Sequence, residues 1–172
     1  MDKQLNYIIF NTDMGWAGIA GTAEGLTRII LPRPSAQEIR ERLKDIPSHG
    51  IESPDFFQDL MNRFRLYYSG RVIDFPDRLD LSKGTPFQRK VWETAKLIPY
   101  GQTQSYGWIA RQMGNPKAVR AVGQALGKNP LPIIVPCHRV LAGGGKLGGF
   151  SSGLDLKRRL LGLENPPGLH LD

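Results

Sequence analysis

A second cysteine is absent from these 172 residues, so Cys137 has no intrachain disulfide partner. Histidine is almost as scarce. His49, His138 and His170 are scattered, without the close spacing of metal-ligand sets, and no metal site is expected. No uninterrupted apolar run reaches the roughly 20 residues that a membrane-spanning helix requires. The opening stretch, Met1 to Phe10, has no basic start followed by a long apolar segment, so it does not read as a secretion signal. These absences point to an unsecreted, cytoplasmic protein without a membrane partner, nucleoid-associated if its source is a prokaryote. Disorder is excluded as well, because 40% hydrophobic residues in a chain of 172 suffice for a real core, in one domain or two small ones.

Charge is present but unevenly placed. Residues 1–84 carry 11 Lys and Arg against 12 Asp and Glu, whereas residues 85–172 carry 12 against 4. The net charge of +7 therefore comes entirely from the second half. Clustered cations suit a polyanion, because each phosphate that is neutralised releases a counterion. A solvated basic surface would give the same total, so charge alone does not choose between the two.

Short β-like runs separated by turns open the chain: Tyr7 to Asn11, Trp16 to Ala20 and Leu26 to Leu31, which read as an antiparallel meander. Ser35 followed by Glu38 forms a capping-box pattern ahead of Ile39 and Leu43, the apolar face of a first helix. A second helix is predicted from Pro54, with Phe56, Leu60, Phe64 and Tyr67 as a core stripe that Gly70 ends. The stretch Asp74 to Gly84 coincides with the break in charge and is the candidate boundary. It separates an α/β scaffold domain at 1–80 from a second domain at 85–172.

In the second domain Thr85 and Pro86 stand at the N-cap and first position of a helix through Val91, Trp92 and Ala95. Ser105 to Met113 is a short helix that Gly114 ends, and Asn115-Pro116 is read as the start of another, running to about Gly127. So tight a connection reads as helix-turn-helix. Ala118, Val122 and Ala125 define an inner face, with Lys117, Arg120, Gln124 and Lys128 outside. An ordinary amphipathic surface helix has the same pattern, but an outer cationic face also suits DNA.

Ile133-Ile134-Val135 reads as a buried strand ending at Pro136-Cys137-His138-Arg139. A lone cysteine is more often a small core hydrophobe than a nucleophile. Its neighbours change the balance, since an imidazole and a guanidinium can lower a thiol pKa and the thiolate is the reactive form. Adjacent residues on a strand face opposite ways, so contact between Cys137 and His138 would need a bridging water or a sharp turn. The glycines at 143–145 and 148–149 lack phosphate-loop spacing and read as a loop for close ligand approach. Ser151 or Ser152 then caps a last helix, about Leu154 to Leu163, with Glu164 at its end.

The segments Asn115-Pro116-Lys117-Ala118-Val119-Arg120-Ala121-Val122-Gly123, Asn129-Pro130 and Pro136-Cys137-His138-Arg139-Val140 resemble the O6-methylguanine-DNA methyltransferase family, motif by motif over residues 85–164. The resemblance implies an α/β (α+β) fold: a small antiparallel sheet with helices, ribonuclease-H-like, followed by a mainly helical domain with the helix-turn-helix. It implies stoichiometric transfer of an alkyl group from O6-alkylguanine, and O4-alkylthymine, in duplex DNA to the protein's own cysteine, after the nucleotide is flipped out.

The implied catalytic residues are Cys137 as acceptor, His138 acting through water, Glu164 orienting that histidine, and Tyr106 donating to guanine N3. The implied DNA-binding residues are Arg120, the finger that fills the vacated stack, with Asn115, Lys117, Gly123, Tyr106 and the Ser151 backbone; Asn129 is the implied hinge. The helix-turn-helix would lie in the minor groove, where small residues let the backbone approach. A monomer acting once, with no cofactor and no metal, is expected. The N-terminal cysteines through which some members bind zinc are missing here. Phe150 and Ser152 stand where tyrosine and glycine are common, which implies poorer tolerance of benzyl-sized adducts. Three readings compete: a damage sensor without repair activity, which Cys137 opposes; a thiol hydrolase, which leaves the basic helix unexplained; and a transcription factor, which leaves the nucleophile unexplained.

Overall fold

The computed structural model describes residues 3–164, which divide into two compact units at the Leu81–Ser82 junction; His170 lies outside these residues. In the first unit three antiparallel strands form a meander, β1 (Asn6–Thr12), β2 (Gly15–Thr22) and β3 (Gly25–Arg33). Ile8 pairs with Ile19 and Phe10 with Ala17, and all four are buried. A short strand missed in the sequence, β4 (Ile51–Glu52), adds to the free edge of β1 in parallel, so the sheet is mixed with order β3-β2-β1-β4. Two residues offer no periodicity to read.

Helix α1 (Ala36–Arg42) starts at Ser35, whose hydroxyl accepts from the Glu38 N–H at 3.3 Å. Its Ile39 is fully buried against Ile30 and Leu43. Gly18 permits this close docking, because a Cβ there would lie 2.8 Å from Ile39 Cγ2. Helix α2 (Gln58–Tyr68) follows a 3-10 turn at Asp55–Phe57. The turn shifts the stripe by one residue from the expectation: Phe57 is buried and Phe56 is exposed, ahead of buried Leu60, Phe64 and Tyr67. Arg63 on α2 forks onto Asp77 with two 2.7 Å hydrogen bonds, and Leu26 on β3 exchanges backbone bonds with Arg78 and Asp80, at 2.8 Å each. The charged stretch near the junction is thus stitched onto the first unit.

The second unit holds α3 (Pro86–Ala95), α4 (Tyr106–Gln112), α5 (Val119–Gly127) and α6 (Leu154–Glu164). Thr85 and Gln88 close a reciprocal capping box at the start of α3. Strand β5 (Gln104–Ser105) pairs in parallel with β6 (Val140–Leu141), which brings the start of α4 beside the chain leaving Cys137. The buried Trp92 indole N–H donates to the Ala125 carbonyl at 2.9 Å and ties α3 to α5.

Two expectations in this unit need correction. Helix α5 begins at Val119 rather than Pro116. Asn115 to Ala118 close a separate turn, with the Ala118 N–H on the Asn115 carbonyl at 3.0 Å, and Ala118 is only half-buried. Nor are Ile133-Ile134-Val135 a strand. Pro132 and Val135 form an isolated bridge around a turn in which Ile133 takes φ +76°, a costly conformation for a β-branched residue, and Cys137–Arg139 form a 3-10 turn. Burial of every residue from 133 to 140 supplies the apolar run that resembled a strand. Among the described residues, no helix is long and apolar enough to cross a membrane.

Trp92→Phe should remove the indole donor from the Ala125 carbonyl, which keeps the Lys128 N–H at 3.1 Å, and lower stability by about 0.5–1.5 kcal/mol. Urea unfolding checks this, and an unchanged midpoint would contradict it.

Candidate active site

The 3-10 turn sets the site. The Cys137 N–H donates to Val135 O at 2.8 Å and the Arg139 N–H to Pro136 O at 3.0 Å, so Cys137, His138 and Arg139 fan out from one tight bend. All three are buried. Glu164, the last residue of α6, meets two of them. His138 Nε2 lies 2.9 Å from Glu164 Oε1, while Arg139 donates through Nε at 2.9 Å to Oε2 and through Nη2 at 2.7 Å to Oε1. Arg139 Nη1 also donates to the Ile98 carbonyl at 2.8 Å, just past the end of α3. The carboxylate accepts only, so the proton between the pair sits on Nε2 and Nδ1 is the basic nitrogen.

The charge states follow from burial and pairing. Burial pushes the Glu164 carboxyl up, but the hydrogen bonds and charges of His138 and Arg139 outweigh it and hold the carboxyl down to about 2. Burial pushes His138 below the ordinary imidazole range; Glu164 opposes this, and the charges of Arg139 and Lys157 reinforce it. A neutral imidazole at neutral pH results.

Burial pushes the Cys137 thiol up, against the expectation that its sequence neighbours would lower it. The groups that favour its thiolate are the Asn129 amide, the Lys157 charge and the backbone N–H groups of Cys137 and His138. The Arg139 guanidinium is instead committed to Glu164 and Ile98. The thiol is therefore protonated at neutral pH, with groups around it that favour the thiolate.

Lys157, which sequence reasoning passed over, is fully buried on α6. Its ammonium donates to the carbonyls of Val140 at 2.8 Å, Gly149 at 3.2 Å and Leu147, holding the glycine loop against β6. It lies 5.8 Å from the ring centres of both Tyr106 and Phe150. Burial pulls its pKa down to about 8, with Cys137 acting in the opposite direction. A signal for it did exist: Lys157, Leu160, Leu161 and Glu164 follow the i, i+3, i+4, i+7 spacing of a buried stripe.

A cavity of about 540 Å³ opens over the thiol, with Cys137, Tyr106, Arg120, Gly123, Phe150 and Ser151 among the residues lining it. Tyr106, the first residue of α4, is half-buried, and its hydroxyl donates to the Gly149 carbonyl at 3.3 Å. Burial, then the neighbouring Cys137, push its pKa up, so the phenol keeps its proton and remains a donor. Gly148 permits its position: a Cβ there would lie 2.9 Å from the ring. A Cβ at Gly123 would stop at 3.8 Å, so internal packing does not demand that glycine and the room it leaves belongs to the cavity.

Arg120 lies exposed on the outer face of α5. Asn115 and Lys117 are exposed in the turn before α5 and do not line the cavity. Asn129 ties the two ends of the turn before the cysteine, donating to Val135 O and accepting from the Leu131 N–H, both at 2.9 Å.

A buried thiol behind a helix-turn-helix, backed by a histidine and a carboxylate, defines a DNA-binding protein with a cysteine nucleophile. Residues 86–166 match the family described as 6-O-methylguanine DNA methyltransferase, DNA binding domain. The methylated-DNA–protein-cysteine methyltransferase of Methanosarcina acetivorans is 42% identical, over 92% of this chain and 97% of its own length. That of Mycobacterium tuberculosis is 39% identical, over 93% and 92%. In three dimensions the chain is similar to Mycobacterium tuberculosis OGT in complex with DNA, with a TM-score of 0.79 at 39% identity, covering 94% of this chain and 96% of that one. It is also similar to the O6-methylguanine-DNA methyltransferase of Pyrococcus kodakaraensis, with a TM-score of 0.72 at 27% identity over 94% and 99%. The chain belongs to the methylated-DNA–protein-cysteine methyltransferase family.

Acid should destabilise the protein in two stages. The folded pKa values of His138 and Glu164 both lie below their unfolded values, so the unfolded chain binds more protons at low pH. Stability should begin to fall as pH drops below the ordinary histidine value. It should fall more steeply from about 4.5 towards about 2, with Glu164 accounting for about 3 kcal/mol. Glu164→Gln should be less stable at pH 7 and lack the second stage in denaturation curves. An unchanged acid limb would contradict this.

Proposed function

We infer that this protein repairs alkylated DNA by direct reversal, moving the alkyl group of O6-alkylguanine in duplex DNA onto Cys137. One observation carries the reading: the chain's single thiol lines a cavity that Arg120, exposed on the second helix of the helix-turn-helix, also lines. A stacked guanine hides its O6 substituent from such a cavity, so the nucleotide leaves the duplex to react. Arg120, at the cavity rim, fills the space it vacates. Asn115 and Lys117, in the exposed turn, contact the backbone, and Asn129 acts as the hinge between α5 and the cysteine turn.

The chemistry is an in-line displacement. The thiol proton passes through water to His138 Nδ1, and Glu164 stabilises the imidazolium that results. The sulfur electron pair forms the new S–C bond at the alkyl carbon, and the C–O bond breaks with its electrons going to O6. Tyr106 donates to N3, and the Ser151 N–H to O6, against the charge that collects on the departing guanine. A thioether is a poor leaving group, so Cys137 is not regenerated and each molecule acts once. No cofactor enters these steps. The first unit serves as scaffold, and the second carries both DNA binding and chemistry.

Incubation with duplex DNA containing O6-methylguanine should add the mass of one methylene to Cys137, stopping at one per molecule. Binding without a mass change would indicate a sensor, and repeated turnover of an acyl ester a hydrolase; either would overturn the reading. Arg120→Ala should slow transfer from duplex DNA more than reaction with free O6-benzylguanine, whereas equal slowing would remove its role as the finger.

A further inference from the structure

Gln124 lies one helical turn beyond Arg120 on the exposed face of α5. It lines the cysteine cavity, and it also lines a second hollow, of about 460 Å³, on the side of α5 that faces the start of α3. Its side chain thus stands on the ridge between them. Gly123 and Gly127 flank this ridge with no side chain of their own, and Gln124 is the polar group that projects there. Among the described residues its carboxamide makes no hydrogen bond.

We propose that Gln124 reads the minor-groove edge of the duplex about two base pairs from the flipped nucleotide. The inference rests on the repair reading above, in which Arg120 occupies the vacated stack. Four residues of helix advance about 6 Å, against about 3.4 Å between successive base pairs. The chemistry matches that location. Every base pair offers acceptors in the minor groove, and G·C adds the guanine N2 amino donor. A carboxamide carries both a donor and an acceptor, so it bonds to either kind of pair. Gln124 therefore gives a contact that tolerates sequence, as suits a protein that must find damage wherever it occurs.

Single-turnover transfer from two duplexes tests this, one with A·T and one with G·C pairs placed two steps from O6-methylguanine on both sides. The wild type should repair both at similar rates. Gln124→Ala should slow both by about fivefold, the loss of one hydrogen bond, and by more than it slows reaction with free O6-benzylguanine. Gln124→Glu, which can only accept, should slow the A·T duplex more than the G·C duplex. Wild-type rates in Gln124→Ala, equal slowing on duplex and free base, or equal loss on both duplexes with Gln124→Glu would overturn the proposal alone. No transfer by the wild type would overturn the repair reading and this inference with it.

Discussion

The carboxylate of Glu164 is the constraint on which the site depends. It is buried on α6. What offsets the cost of burying its charge is a fully engaged partner set, with the Arg139 fork on one side and the His138 Nε2–H on the other. Because those partners are consecutive residues of the cysteine turn, one carboxylate fixes the turn, the histidine tautomer and the end of α6 together. Arg139 extends the link to the Ile98 carbonyl, so the helix that supports α5 is tied to the same point.

A second buried charge completes the arrangement from the other side. Lys157 holds the glycine loop by its carbonyls and places positive charge near the thiol and the Tyr106 ring. The result is a nucleophile that burial keeps protonated at rest, surrounded by groups that favour its thiolate. In a protein consumed by one reaction, a thiol that is unreactive until a substrate arrives avoids waste on other electrophiles. The base proposed for that moment is an imidazole that burial keeps neutral.

Much of this was legible in the sequence where the signal was local. Turn glycines and alternation marked β1 to β3, and capping residues marked α1, α3 and α4. The Pro136-Cys137-His138-Arg139 run marked the nucleophile. Long-range pairing was harder to see. Sequence alone places Glu164 only at the end of the last helix, and the family resemblance supplies its partner; Lys157 carries no local motif, although the stripe spacing of α6 contains both. Burial also misled: the apolar run before Cys137 resembled a strand, yet Asn129 and Ile133 bend it into a turn. The 3-10 turn at Cys137–Arg139 is the sharp turn that a contact between Cys137 and His138 would need. Near Cys137 in sequence, the Arg139 guanidinium is spent in the structure on Glu164 and the Ile98 carbonyl rather than on the thiol.

The central claim is that burial keeps His138 neutral while Glu164 holds its proton on Nε2 and leaves Nδ1 basic. Nitrogen-15 chemical shifts of the His138 ring at pH 7 test it directly. The account predicts a protonated Nε2 and an unprotonated Nδ1. An imidazolium, or the opposite tautomer, would contradict it.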